Sequence, residues 1–221
     1  MPDTPLAARL ADLETYTDLR LDGGELSGVR GASIVGGRLR GVSLAGQSFR
    51  LLHLERVVLE ECDLSNCEWE LPLLEEVELN GCRMTGFRIR GGKGIELTLR
   101  DCHGRYAQFE KVELKEARFE RCQLGESSFL GCALDRAVFA ECDLRGAVMS
   151  GVRLKGADLR GCQIDGIRAS LDDLAGATLD PRQAAAILHG HAAIKVLEIG
   201  DSLDSLPTSG EGELIQLGRE S

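Results

Sequence analysis

The chain has 221 residues, of which 43% are hydrophobic but only 4% aromatic, and 27 are Gly. Its net charge of -10 and pI of about 5.0 count against nucleic acid or an anionic membrane as a partner and admit a basic protein. No apolar run reaches the length of a membrane span, and no basic segment followed by an apolar one opens the chain, so a cytoplasmic protein is expected.

Near the N-terminus, Leu6, Leu10 and Leu13 recur at helical spacing, which predicts a cap helix over residues 1–18. From Ile34 a different order takes over. Every fifth residue belongs to one series: Ile34, Leu39, Leu44, Phe49, Leu54, Leu59, Leu64, Trp69 and onward to Leu179. Of its 30 slots, 28 are apolar and none is charged; the two failures are Gly94 and Gly104. Two residues before each slot runs a second series, starting at Ala32, in which 23 of 30 members are Ala, Cys, Gly, Ser or Val. Gly recurs two places after the slot, as at Gly81, Gly86, Gly146 and Gly151.

A period of five fits neither regular element. A helix would scatter the series around its circumference, and a strand would turn each next slot outward. The pattern needs a corner every five residues, with one large and one small side chain always pointing in. Four such corners close a square coil of twenty residues, and coils stack at roughly 4.8 Å. The fold class is therefore an all-β solenoid, expected over residues 19–180.

The twenty-residue phase orders the side chains further. Cys62, Cys82, Cys102, Cys122, Cys142 and Cys162 lie one coil apart and should form a ladder on one inner face. A thiolate metal site or a disulfide chain is the sharper reading. A small apolar filler is the plainer one, and it is favoured because no C-x-x-C and no Cys/His cluster is present. No metal and no cofactor is expected. Phe109 and Phe129 should stack on one side of the core, facing Phe119 and Phe139.

Among outward positions, Arg50, Glu70, Arg90 and Glu110 alternate in sign as a ladder of ion pairs. A neighbouring face stacks Glu76, Glu96 and Glu116, with Glu55, Glu75 and Glu113 beside them. Like charges at coil spacing repel, so these six form a candidate partner-binding ridge. The plainer reading is a solvated face relieved by Arg56, Lys93 and Lys115. Residues 55–78 carry nine acids against Arg56 alone, whereas residues 34–199 sum to only -3. Gly94 and Gly104 leave two central slots empty. Residues 91–106 are therefore expected to be the most deformable stretch, with Gly91, Gly92 and Gly94 able to bulge outward.

At the C-terminal end, Asp180 is placed as a helix N-cap, Pro181 in the first turn and Gly190 as the stop. Residues 181–199 make a C-terminal segment, and the polar residues 200–221 a flexible tail.

The run "CDLRGAVMSGVRLKGADLRGCQ" resembles the pentapeptide repeat family, whose consensus is A-(D/N)-L-x-x, and the resemblance covers residues 32–179. It implies a right-handed, four-sided β-helix, with capping helices at both ends. Leu179, Asp180, Gln183, Ala184, Ile187, Leu188, Ile194 and Val196 resemble the C-terminal signature of the quinolone-resistance group, L-D-x-x-Q-A-x-L-L followed by G-I-x-V. That resemblance implies a homodimer, here through Leu179, Ile187, Leu188, Ile194 and Val196. It also implies a rod that imitates duplex DNA on DNA gyrase or topoisomerase IV and protects that enzyme from a poison. The projecting loop with a register break, carried by plasmid-borne members, is missing. The alternative is an interaction scaffold for another protein, with a patch around Gly91–Glu96.

An enzyme is not expected. His53, His103, His189 and His191 are scattered, and "RGGKG" at 90–94 lacks the strand-to-helix context of a phosphate loop.

Overall fold

The computed structural model describes residues 10–190. The chain divides into two units, residues 1–179 and 180–221. The first is a parallel β-solenoid. Ser33, His53, Leu73, Lys93, Glu113, Ala133 and Arg153 pair in succession, each twenty residues from the last. Two of its four sides join in a ten-stranded sheet, and a third is a four-stranded sheet. The fourth is held by single bridges from Ser43 through Asp63, Arg83, His103, Gln123 and Asp143 to Gln163.

The corners explain the five-residue rhythm. Two places after each slot the backbone turns left-handed: between Leu51 and Glu141 fifteen non-Gly residues hold a positive φ there, near +50 to +61°. Only then can the next slot point inward again. L-residues pay roughly 1–2 kcal/mol for this conformation, which is why Gly recurs at the corner.

The inward series fill the core as expected. Phe109 stacks on Phe129 at 4.9 Å, Phe119 stacks on Phe139 at 4.5 Å, and the two stacks meet edge-on at 5.8 to 6.2 Å. All eight Cys are buried free thiols. In the ladder, Cys62 Sγ donates to the Leu39 carbonyl at 3.4 Å and Cys102 Sγ to the Leu79 carbonyl at 3.3 Å, a spacing repeated by Cys142 and Phe119. Burial also pushes the Cys67 thiol up to about 12 and Cys132 up to about 11. All eight thiols are out of a reagent's reach in the folded protein, and a buried structural thiol is inert. The native protein is therefore expected to leave Ellman's reagent unreacted at pH 8, with all eight thiols titrating only in guanidinium chloride. Rapid release of even two equivalents from folded protein would contradict this packing.

The N-terminal expectation needs correction. Strand β1 (Thr15–Asp22) occupies what was assigned to the end of a cap helix, and Leu10–Glu14 hold no helix. Residues 1–9 lie outside the described residues. β1 pairs in parallel with β2 (Ser33–Arg40), eighteen residues on rather than twenty. Arg30 already pairs twenty residues on, with Arg50, so the side between Glu25 and Arg30 is two residues short. Gln47 bridges the shortfall: its Oε1 accepts the Gly28 N–H at 3.0 Å.

The stretch 91–106 neither bulges nor leaves voids. Gly94 pairs with Leu74 on one side and Leu114 on the other. A Cβ on Gly94 would lie 2.7 Å from Leu114 Cδ2, and one on Gly104 would lie 2.9 Å from Leu124 Cδ2, so both slots are already filled from the next coil. Phe87 and Leu97, which replace small members of the second series, are buried nearby. Core volume is kept by moving the large side chain to the adjacent position. The backbone distortion is confined to Gly91 and Gly92, with successive φ of +60° and +82°.

The second unit holds helix α1 (Pro181–Gly190). Asp180 Oδ1 accepts the Gln183 N–H at 3.0 Å, and Gln183 Oε1 accepts the Asp180 N–H at 2.9 Å, a reciprocal capping box. Ile187 is buried, and Leu179 and Leu188 are half-buried; Ile194 and Val196 lie outside the described residues. Among the described residues no helix is long and apolar enough to cross a membrane.

Candidate protein-docking face

Outward side chains form columns along the solenoid, and most columns neutralise themselves. Arg50 pairs with Glu70 at 3.4 Å and Arg90 with Glu110 at 3.2 Å, the ladder read from the sequence. Arg100 bridges Glu78 at 2.8 Å and Glu120 at 3.1 Å, and Arg121 holds Asp101 at 2.8 Å. The last pair draws the Asp101 carboxyl below its usual range. Such exposed pairs each contribute at most about 1 kcal/mol.

One corner departs from this balance. Glu76, Glu96 and Glu116 occupy it on three successive coils, at φ of +52°, +56° and +55°. Their backbone N–H groups donate to the Ile95, Lys115 and Asp135 carbonyls, which fixes the side chains one above another. Arg56 and Arg136 close the column at its two ends, and Arg136 pairs with Glu116 at 2.7 Å. Glu75 is in register with Glu55, and Glu55 pairs with Arg56. Glu113 pairs with Lys93 at 3.5 Å. Of the six predicted acids, Glu55, Glu113 and Glu116 are thus neutralised. Glu75, Glu76 and Glu96 have no ion-pair partner among the described residues. Beside the corner runs an open groove of about 560 Å³, with Val58 and Thr98 among its lining and Arg100 and Arg118 opposite Glu76 and Glu96.

The side between this corner and the corner of Leu51 and Leu71, across the corner from the groove, carries exposed apolar residues that the charge pattern did not reveal. Leu51 and Leu71 stand at corners, 44% and 46% exposed; Leu73 and Ile95 point outward, 40% and 49% exposed. The signal was in the register, because all four fall on outward or corner positions.

Nothing resembling a catalytic group gathers here. His53 Nδ1 lies 3.1 Å from Ser33 Oγ, and His103 is exposed on a different side. Among the described residues no cluster of three or more His, Cys, Asp or Glu is arranged to hold a metal ion.

Residues 127–168 match the family model "Pentapeptide repeats" in eight copies. Over those residues the chain is built of pentapeptide repeats. The pentapeptide register continues in the structure well beyond the matched copies. Among solved structures, the chain is similar to a trypsin-treated form of QnrB1, a plasmid-mediated fluoroquinolone resistance protein, at 21% identity and a TM-score of 0.47, covering 83% of this chain and 100% of that one. It is also similar to full-length QnrB1, at 20% identity and a TM-score of 0.37, covering 82% and 100%. A third likeness is HetL from the cyanobacterium Nostoc, involved in heterocyst differentiation regulation, at 18% identity and a TM-score of 0.33, covering 77% and 89%. No curated protein matched the sequence. The fold assignment rests on the pentapeptide register and its coils, not on these superpositions.

Proposed function

We propose that this chain is a non-catalytic, protein-binding rod whose acidic corner takes the place of DNA phosphates on DNA gyrase or topoisomerase IV. The observation that carries the reading is the stack of Glu76, Glu96 and Glu116 with Glu75 beside it. Like charges stacked at coil pitch oppose folding, and Gly would sit at each of those corners with less strain. Three of the four acids lack an internal counter-charge among the described residues, so they are available to a basic surface. The acidic patch spans three coils, roughly 10 Å from first to last, a short segment of one groove edge rather than a whole duplex. Competition is therefore local, at one point of the DNA-binding surface. The C-terminal residues that resemble the quinolone-resistance signature support the same partner and a homodimer, which light scattering of the full chain would show as twice the monomer mass.

The test is a gyrase supercoiling assay with a fluoroquinolone present. Added protein is expected to change the drug concentration that halves supercoiling, by several-fold. An unchanged drug response at saturating protein would remove topoisomerase as the partner. The exposed apolar residues beside that corner favour a second reading, an interaction scaffold for another basic protein.

A further inference from the structure

We infer that the side next to the acidic corner holds an apolar strip that receives the non-polar side of a basic amphipathic helix. The strip is Leu51, Leu71, Leu73 and Ile95. Leu51 and Leu71 stack at one corner on successive coils, and Leu73 follows Leu71 around the corner. Ile95 is the next coil's neighbour of Glu75, in register with it, so Leu73 and Ile95 are diagonal neighbours on one face. Diagonal positions on adjacent parallel strands are roughly 8 Å apart, within reach of branched side chains.

Single exposed leucines are ordinary, but these four follow one diagonal line, with Glu75 and Lys93 on either side of it between Leu73 and Ile95, and two are costly. Leu51 and Leu71 adopt φ of +56° and +50°, while the same column holds glycine at Gly31, Gly91 and Gly131. A half-exposed leucine gains little from folding to offset a left-handed backbone. Leu71 Cδ2 spreads over Gly91, where a Cβ would approach it to 2.7 Å, so the missing side chain widens the apolar surface.

The charge around the strip selects the occupant. Glu75, Glu76 and Glu96, which have no ion-pair partner among the described residues, outnumber the cations that border Leu73 and Ile95: Lys93, in register with Leu73, is paired with Glu113, and Lys115 is in register with Ile95. A helix with apolar residues at i, i+4, i+7 and i+11 presents a stripe of roughly 16 Å, which matches the strip, and Lys or Arg beside that stripe would meet the acids. A second copy of this chain would bring acid against acid. The chain's own residues 200–221 carry five acids against Arg219 alone, so they too have the wrong charge. The inference rests on the reading that this face docks a protein, but not on the partner being a topoisomerase.

The probe is a leucine–lysine peptide patterned as an amphipathic helix, compared by calorimetry with an isomer of the same composition whose leucines share no face. Wild-type protein is expected to bind the patterned peptide about tenfold or more tightly than the isomer, and to keep that preference in added salt. The triple variant Leu71→Ser, Leu73→Ser, Ile95→Ser should lose the preference while its melting temperature stays near that of wild type. Equal binding of both peptides by wild type, or an undiminished preference in the variant, would overturn the strip. Peptide preference without gyrase binding keeps the strip and removes the topoisomerase. Gyrase binding without peptide preference does the reverse.

Discussion

Gly92→Ala is expected to destabilise the rod more than any other single-methyl addition along its central coils. Gly92 has φ +82°, and a Cβ there would lie 2.3 Å from the Pro72 carbonyl oxygen and 2.6 Å from its ring. The first feature costs an L-residue roughly 1–2 kcal/mol, and a clash with backbone adds roughly 1–3 kcal/mol because neither side can rotate away. That same Pro72 carbonyl accepts the Lys93 N–H at 2.9 Å, and the Gly92 carbonyl accepts the Glu113 N–H at 3.2 Å, so relief would break the ladder on both sides. Gly46→Ala is the control. Its φ is +68°, but nothing lies within 4 Å of the added Cβ, so it should show the backbone cost alone, roughly 1–2 kcal/mol. Melting temperatures of the two variants separate the terms. A Gly92→Ala protein as stable as Gly46→Ala would mean that the coil spacing at this point is wrong.

The second large effect is on binding. Reversal of Glu75, Glu76, Glu96 and Glu116 to Lys should weaken gyrase binding by about 100-fold or more. Each exposed contact is worth up to about 1 kcal/mol, reversal turns attraction into repulsion, and 2.7 kcal/mol corresponds to about 100-fold. The fold should survive with little change. With Arg56 and Arg136 at its ends the corner becomes a run of five cations, but these are exposed and screened by salt, and the one ion pair lost is Arg136 with Glu116, which is exposed. Wild-type affinity should also fall steeply with salt. A variant that keeps both wild-type affinity and an unaltered circular dichroism spectrum would take the ridge out of the mechanism.

The solenoid was legible because its signal is long and redundant. A five-residue period sustained from Ile34 to Leu179 has one compact solution, and the facing Phe stacks and thiol ladder followed from arithmetic on residue numbers. The start of the first coil, residues 15–18, was missed for a physical reason. Tyr16, Leu21 and Leu26 keep the step of five, but the shortened side brings the next slot only three residues on, to Val29, and this broke the count before it reached Ile34. The helical spacing of Leu6, Leu10 and Leu13 then drew residues 15–18 into a helix that strand pairing with β2 overrides. The filled Gly94 and Gly104 slots were also within reach of the sequence. Phe87 and Leu97 break the small series beside them, and large residues at small positions signal compensation. In the docking face, the column of Glu76, Glu96 and Glu116 was legible from spacing. Its partial neutralisation was not, because ion pairs such as Glu116 with Arg136 depend on rotamers that spacing does not specify. The apolar strip was overlooked because the search of outward positions followed charge.

Direct competition with DNA tests the acidic corner most plainly. Purified gyrase is bound to a labelled duplex, and this protein is titrated in at low and moderate salt. The account predicts that wild type displaces the duplex, less effectively as salt rises, and that the Glu75, Glu76, Glu96 and Glu116 to Lys variant does not. Gyrase that holds wild-type protein and duplex together, or a variant that displaces DNA as well as wild type does, would contradict it.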